Sequence, residues 1–228
     1  MTKLKKNQSN SIQDNNSPWE FWAPILMTIA LYSGIRHFVA EARYIPSGSM
    51  LPSLQIQDRI LIEKLTLSRR PPKRGEIVVF RSPFSFDPVL SNNNNSPSFL
   101  QCTIVNFPLV SFLTRLRHPA CDAYIKRVVA VSGDKVVVNS LGEVLINNSK
   151  TYEPYVSKLC IMPNSNIGAC KELRVEVPSH HVLVLGDNRQ NSWDGRFWPG
   201  GAFLPEKEII GRAVWRFWPF NRVGLLHQ

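Results

Sequence analysis

A chain of 228 residues can bury one sizeable core with at most a small appendage. Its 43% hydrophobic content and 17 prolines exclude a disordered chain and suit a globular protein rich in extended segments and turns. The formal net charge of +10 points to a polyanionic partner, either nucleic acid or the anionic face of a membrane, and charge alone does not choose.

Residues 1–18 are polar and carry Lys3, Lys5 and Lys6 amid Asn, Ser and Gln, the composition of a disordered tail. The apolar run "WEFWAPILMTIALYSGIRHFVA" follows. As a helix its 22 residues would reach roughly 33 Å, enough for a bilayer's hydrocarbon, so residues 19–42 are predicted to be a transmembrane anchor. Trp19 and Trp22 suit one interface; Arg36, with His37 beside it, can snorkel to the other. The lysines before the run place the tail in the cytoplasm and everything after it across the membrane. Two alternatives stand beside the anchor. One is a buried soluble helix. The other is a cleavable signal peptide, because "AEA" at Ala40–Ala42 has the small-x-small form of a cleavage site.

Beyond the anchor, short runs rich in β-branched residues alternate with Gly, Pro, Asn and Asp. Strands are predicted over "RILIEKL" (59–65), "GEIVVF" (75–80), "YIKRVVAV" (124–131), "KVVVN" (135–139) and "EVLINN" (143–148). Three more are "LRVEV" (173–177), "HVLVLG" (181–186) and "GRAVWRFW" (211–218). "NSLGE" (139–143) has the residues of a hairpin connection. No second long helical period appears, so an all-β domain behind a membrane helix is expected. Residues 82–122, with "SNNNNSPS" and few charges, read as an insertion into that framework.

The four cysteines, Cys102, Cys121, Cys160 and Cys170, permit disulfides in an exported domain. Proximity along the chain favours Cys102 with Cys121 and Cys160 with Cys170; buried thiols are the alternative. None has the paired C-x-x-C spacing of a zinc site, and no metal or other cofactor is expected.

Three stretches carry chemistry. In "YIPSGSMLPSL" (44–54) a Ser-Gly-Ser turn brings a hydroxyl to the surface, with glycine permitting unusual backbone angles and Pro46 and Pro52 stiffening the flanks. It can be a plain turn or a nucleophile, and a serine nucleophile needs an adjacent base. Among the histidines only His180 and His181 are plausible bases, and neither has a triad context. Lys126 in "YIKRVVAVSGD" is the better base. It sits in an apolar strand, sharing a face by alternation with Tyr124, Val128 and Ala130 while Arg127 points the other way. Burial disfavours its charge; moving a lysine from about 10.4 to about 8 costs roughly 3 kcal/mol, which a folded domain can bear. A snorkelling edge-strand lysine is the alternative. Finally, "GDNRQNSWDGRFWPG" (186–200) alternates acids, arginines and amides after an apolar strand, as an ion-paired loop or an ordinary polar turn would.

Taken in order, "IPSGSMLPSL", "QDRILIEK", "YIKRVVAVSGDKV" and "GDNRQNSWDGR" resemble the motif series of the type I signal peptidases, membrane-anchored serine proteases with a Ser-Lys dyad. The likeness spans the anchor and most of residues 44–218, leaving out 82–122. It implies a mainly β fold: an antiparallel catalytic sheet with a smaller β-rich cap (137–181), in an exported domain of residues 43–228 behind a single transmembrane helix. It implies Ser49 as nucleophile and Lys126 as general base. Ser47, with the Ser49 amide, matches the oxyanion hole, and Ser192 the serine that orients the lysine. Arg127, Asp187, Asp194 and Arg196 match charged residues that brace the site. Ile45, Pro46, Met50, Leu54, Tyr124 and Ile125 would line shallow pockets admitting only small side chains. Gly195 departs from the pattern, standing where relatives commonly have serine. The implied partners are preprotein signal peptides and membrane lipids, with the secretion translocon a further candidate and no nucleic acid. A Ser-Lys self-cleaving repressor and a non-catalytic membrane-tethered module are the rival readings.

Overall fold

The computed structural model describes residues 18–92, 122–156, 159–160 and 171–226. Helix α1 (Pro18–Gly34) runs on through a five-residue π-helical stretch (Ile35–Val39) into strand β1 (Ala40–Tyr44). No residue of α1 is buried, and Trp19, Phe21, Met27 and Leu31 stand exposed on it. No helix among the described residues is long and apolar enough to cross a membrane. The reason is physical: 17 residues rise roughly 26 Å, short of the roughly 30 Å of hydrocarbon, and the stretch that lengthens it carries Arg36 and His37. Residues 40–42 do not belong to the helix at all. They pair with strand β2 (Arg59–Glu63), and Glu41 is buried with Arg43 at 2.9 Å and Lys64 at 3.0 Å.

After a single helical turn, α2 (Leu65–Arg69), come β3 (Ile77–Arg81), a second short helix α3 (Pro88–Asn92) and β4 (Ala123–Val131). Strands β5 (Lys135–Val138), β6 (Val144–Ile146), β7 (Ser149–Lys150) and β8 (Leu173–Glu176) form a small sheet in the order β7-β6-β5-β8. Strands β9 (His181–Leu185), β10 (Phe203–Pro205), β11 (Ile209–Trp218) and β12 (Gly224–Leu225) complete the large one. Its order is β1-β2-β11-β3-β4-β9-β10, with β12 on β11, and all its pairings are antiparallel. Register shifts in β11 bend that strand, as β-bulges do. The fold is thus mainly β, a large antiparallel sheet with a small β cap. The β5–β6 hairpin turns through residues 139–143, where Asn139 N–H donates to Glu143 O (3.0 Å) and Gly142 takes φ +81°.

Strand β4 is buried continuously from Ile125 to Ala130, because both of its faces are covered. Simple alternation therefore fails along it. Val128 pairs with Val184 and Ala130 with Leu183, so Val129 is an extra, bulged residue. Past the bulge the faces slip. Ala130 leaves the side of Lys126 and packs with Val129, Val136, Val144 and Leu185 in the core joining the two sheets. A second core (Ile45, Met50, Leu54, Ile60, Ile62, Ile77, Val79, Ile125, Ala213) lies beneath the Ser-Gly-Ser turn. A third gathers Val78, Phe80, Val128, Val184 and Trp198.

Within residues 82–122 the buried Asp87 ties the segment down. It accepts from Val89 N–H (2.9 Å) and Leu90 N–H (3.1 Å), and from Gly200 N–H (2.9 Å) across the fold. The rest of the expected insertion, with Cys102, Cys121 and His118, lies outside the described residues, as do Cys170 and His227. Cys160 is buried with its thiol directed at Arg189 O (3.8 Å); because Cys170 and both members of the other pair lie outside the described residues, neither expected disulfide falls wholly within them.

Candidate active site

The Ser-Gly-Ser turn belongs to the loop between β1 and β2, closed by Ile45 N–H to Asp58 O (2.9 Å) and Gln57 N–H to Ile45 O (2.9 Å). Burial of Ile45, Met50 and Leu54 pins it from below, leaving Pro46 and Ser47 exposed. Gly48 does not adopt a positive φ, and a Cβ there would lie 3.1 Å from Leu51 Cδ1, an uncomfortable but open position. The expected unusual backbone at this glycine is therefore absent. Close approach is instead met by Gly186 at the end of β9. A Cβ there would stand 2.5 Å from Ser49 O and 2.2 Å from Ser192 Oγ, so only glycine lets the two loops touch.

Lys126 reaches this turn from β4, where it pairs with Val78 of β3. Its Nζ lies 2.8 Å from Ser49 Oγ and donates to Ile125 O (2.9 Å). Both side chains are nearly sealed, Lys126 at 4% and Ser49 at 8% exposure. Burial lowers the amine from 10.5 to about 8, against the pull of Asp194 and Asp187, with Arg196 adding to the lowering. An amine with that affinity is partly neutral near neutral pH and can accept a proton from a hydroxyl in contact with it.

Around this pair the charges are matched off. Arg127 donates from Nε and Nη2 to the two Asp187 oxygens (2.9 and 2.7 Å), from Nη1 to Gly75 O (2.7 Å), and sits over the Tyr155 ring. Arg196 grips Asp194 in the same bidentate way (2.8 and 2.9 Å), while Gly186 N–H donates to Asp194 Oδ2 (3.0 Å). Burial would raise the Asp194 pKa, but the Arg196 and Gly186 hydrogen bonds overcome it and hold the carboxyl below its ordinary range. Forked arginine–carboxylate bonds fix orientation as well as charge, so these four residues form a rigid frame.

Ser47 Oγ stands 3.4 Å from Ser49 Oγ. Ser192 is buried beside Gly186 with its hydroxyl near Asp194, whose carboxyl it helps to hold low, and it makes no bond to Lys126. Ile45, Met50, Leu54 and Ile125 are core residues under the turn, whereas Pro46 is exposed and Tyr124 half-buried in contact with Phe80 and Trp193. His180 is exposed in a left-handed turn (φ +59°), and His181 Nδ1 is 2.8 Å from Ser179 O; Ser49 is served by the lysine instead. Gly195 is explained by space: a Cβ would meet Ala202 O at 2.4 Å, so a serine would force the backbone to move.

Two residues of "GDNRQNSWDGR" went unnoticed in the sequence. Asn188 donates from Nδ2 to Gly48 O and from its backbone N–H to Ser49 O, both 3.1 Å. Arg189, fully buried, is bidentate to Glu153 (2.6 and 3.1 Å), donates to Gly142 O (2.6 Å), and so ties the cap to this loop. The amide and arginine spacing was visible; their acceptors, distant in sequence, were not.

A family model described as signal peptidase, peptidase S26, matches residues 19–218. The chain belongs to the peptidase S26 family of signal peptidases. Signal peptidase I of Leptolyngbya laminosa is 40% identical over 200 residues, covering 88% of this chain and 79% of that protein. The probable signal peptidase I-2 of Synechocystis sp. is 39% identical over 92% of this chain and 78% of its own length. A solved signal peptidase I from Enterococcus faecalis aligns at 18% identity over 63% of this chain and 97% of its own, with a TM-score of 0.38. Family membership makes the chain a serine peptidase, a hydrolase that removes signal peptides.

Proposed function

We propose that this peptidase cleaves exported preproteins after small-x-small signal sequences, with Ser49 as nucleophile and Lys126 as general base. One observation carries the proposal: a buried amine, lowered to about 8, lies 2.8 Å from a serine hydroxyl with no carboxylate paired to it among the described residues. Neutral Lys126 takes the Ser49 proton as Oγ attacks the scissile carbonyl carbon. Ser47 and the Ser49 N–H stabilise the oxyanion. Collapse breaks the C–N bond, and Lys126 gives its proton to the departing amine. Water, deprotonated by Lys126, then attacks the acyl-enzyme and returns Ser49 with its proton. Arg127, Asp187, Asp194 and Arg196 act as the frame, with Ser192 available to orient the amine. The preprotein binds extended beside Ile45, Pro46, Tyr124 and Ile125, with Met50 and Leu54 shaping the pockets from beneath.

The exposed apolar side chains of α1 favour a lipid-facing role for the helix, with Arg36 and His37 at the exported interface and the catalytic domain beyond it. Membrane lipids and preproteins are thus the proposed partners. The test is cleavage of a model preprotein by full-length protein in liposomes. Ser49→Ala and Lys126→Ala should each lower the rate by about 10⁴-fold or more while the fold persists. Substantial cleavage by a folded Lys126→Ala protein would end the dyad reading.

A further inference from the structure

We infer that Asn188 is a positioning residue that aims the Ser49 backbone N–H at the developing oxyanion. This rests on reading that amide as an oxyanion donor. The Gly48–Ser49 peptide is trans, and in a planar trans unit the C=O and N–H point in opposite directions. Fixing the Gly48 carbonyl therefore fixes where the Ser49 N–H points. Asn188 Nδ2 donates to Gly48 O (3.1 Å), assisted by Leu51 N–H (3.2 Å) from within the loop. One peptide further on, Asn188 N–H donates to Ser49 O (3.1 Å). A single residue thus holds both carbonyls flanking the nucleophile. The Ser49 N–H itself has no acceptor among the described residues and is left available for substrate.

The clamp is firmly based. Asn188 lies between Asp187, locked by Arg127, and Arg189, locked by Glu153, while Gly186 is pressed against Ser49 O. The residue type matters too. An aspartate of the same shape has no Nδ2 donor and would set a carboxylate oxygen against the Gly48 carbonyl. Because oxyanion donors act only where charge develops, misaiming one should slow the chemical step and spare substrate binding.

The test compares Asn188→Asp and Asn188→Ala with the parent in liposomes, using the same preprotein. Losing one donor outright typically costs about 100- to 1000-fold, so misaiming it should lower kcat by about 10- to 100-fold, with KM within about threefold. The pH midpoint of kcat should stay where it is, since Lys126 is untouched. A peptide aldehyde, which adds to Ser49 as a tetrahedral hemiacetal, should bind more weakly by the factor lost from kcat; an uncleavable peptide should bind as before. A folded variant of either kind with parental kcat would overturn the inference. So would a fall confined to KM, or failure of both variants to fold, which would make Asn188 part of the scaffold. Ser49→Ala run alongside separates the two readings. If it still cleaves, the active-site reading has failed; if it is dead and the Asn188 variants keep kcat, only the positioning role has failed.

Discussion

The two faces of β4 treat neighbouring cations in opposite ways. Arg127 and Lys126 are adjacent, point to opposite sides of the sheet, and are both buried, at 1% and 4% exposure. Arg127 has a bidentate carboxylate, a backbone carbonyl and an aromatic ring around it. Lys126 has a hydroxyl and one carbonyl, and the nearby carboxylates are already engaged by Arg127 and Arg196. Burial is common to both, so burial alone does not make a base. What distinguishes Lys126 is that no carboxylate among the described residues is paired to it to offset its burial, and burial therefore lowers the amine to about 8.

The sharpest way to break this contrast is to take the partner from Arg127. Asp187→Ala takes the bidentate carboxylate from a buried guanidinium and should destabilise the fold by about 3–5 kcal/mol, read as a lower denaturation midpoint in urea. It also removes a carboxylate that pulls the Lys126 pKa upward, so any folded fraction should show an activity midpoint shifted below the parent's.

Removing the other cation should have the reverse effect on stability. Below about pH 8 Lys126 is charged in both folded and unfolded chains, and the folded state bears the whole burial penalty. Between about 8 and 10.5 the unfolded chain keeps the proton and the folded one releases it, so stability rises with pH across that window. Lys126→Met should therefore be inactive yet more stable than the parent near pH 7, by up to about 3 kcal/mol, with the gain fading toward pH 10.5. Equal stability of the two proteins at pH 7 would show that the amine carries no penalty. The smallest effect belongs to the histidines: the His180→Ala, His181→Ala double variant should change stability and transition-state energy by no more than about 0.5 kcal/mol. A folded but dead double variant would restore a histidine base.

Much of this contrast was legible in the sequence. Apolar runs such as "IVVF" and "VVAV" marked the central strands because β-branched residues suit a sheet covered on both sides. Strand β1 was missed because "AEARY" follows the helical run with no turn residue between, and so reads as its continuation. Strand β10 and helix α2 are too short to show a period. The bulge at Val129 depends on the register with β9, which no local pattern reveals. In the site, Lys126 was conspicuous as a charge in an apolar strand. Asn188 and Arg189 were not, since polar residues in a polar loop announce nothing until their acceptors, Gly48 and Glu153, are brought beside them. The Ser192 hydroxyl was expected on the lysine and makes no bond to it.

Direct titration of the Lys126 amine bears most closely on all of this, by NMR of the full-length protein carrying labelled lysine and with Lys126→Met to assign the signal. A midpoint near 8, matched by a rise in kcat/KM through the same pH, is the expected result. A midpoint near 10.5 in an enzyme that still cleaves at neutral pH would contradict a neutral lysine base.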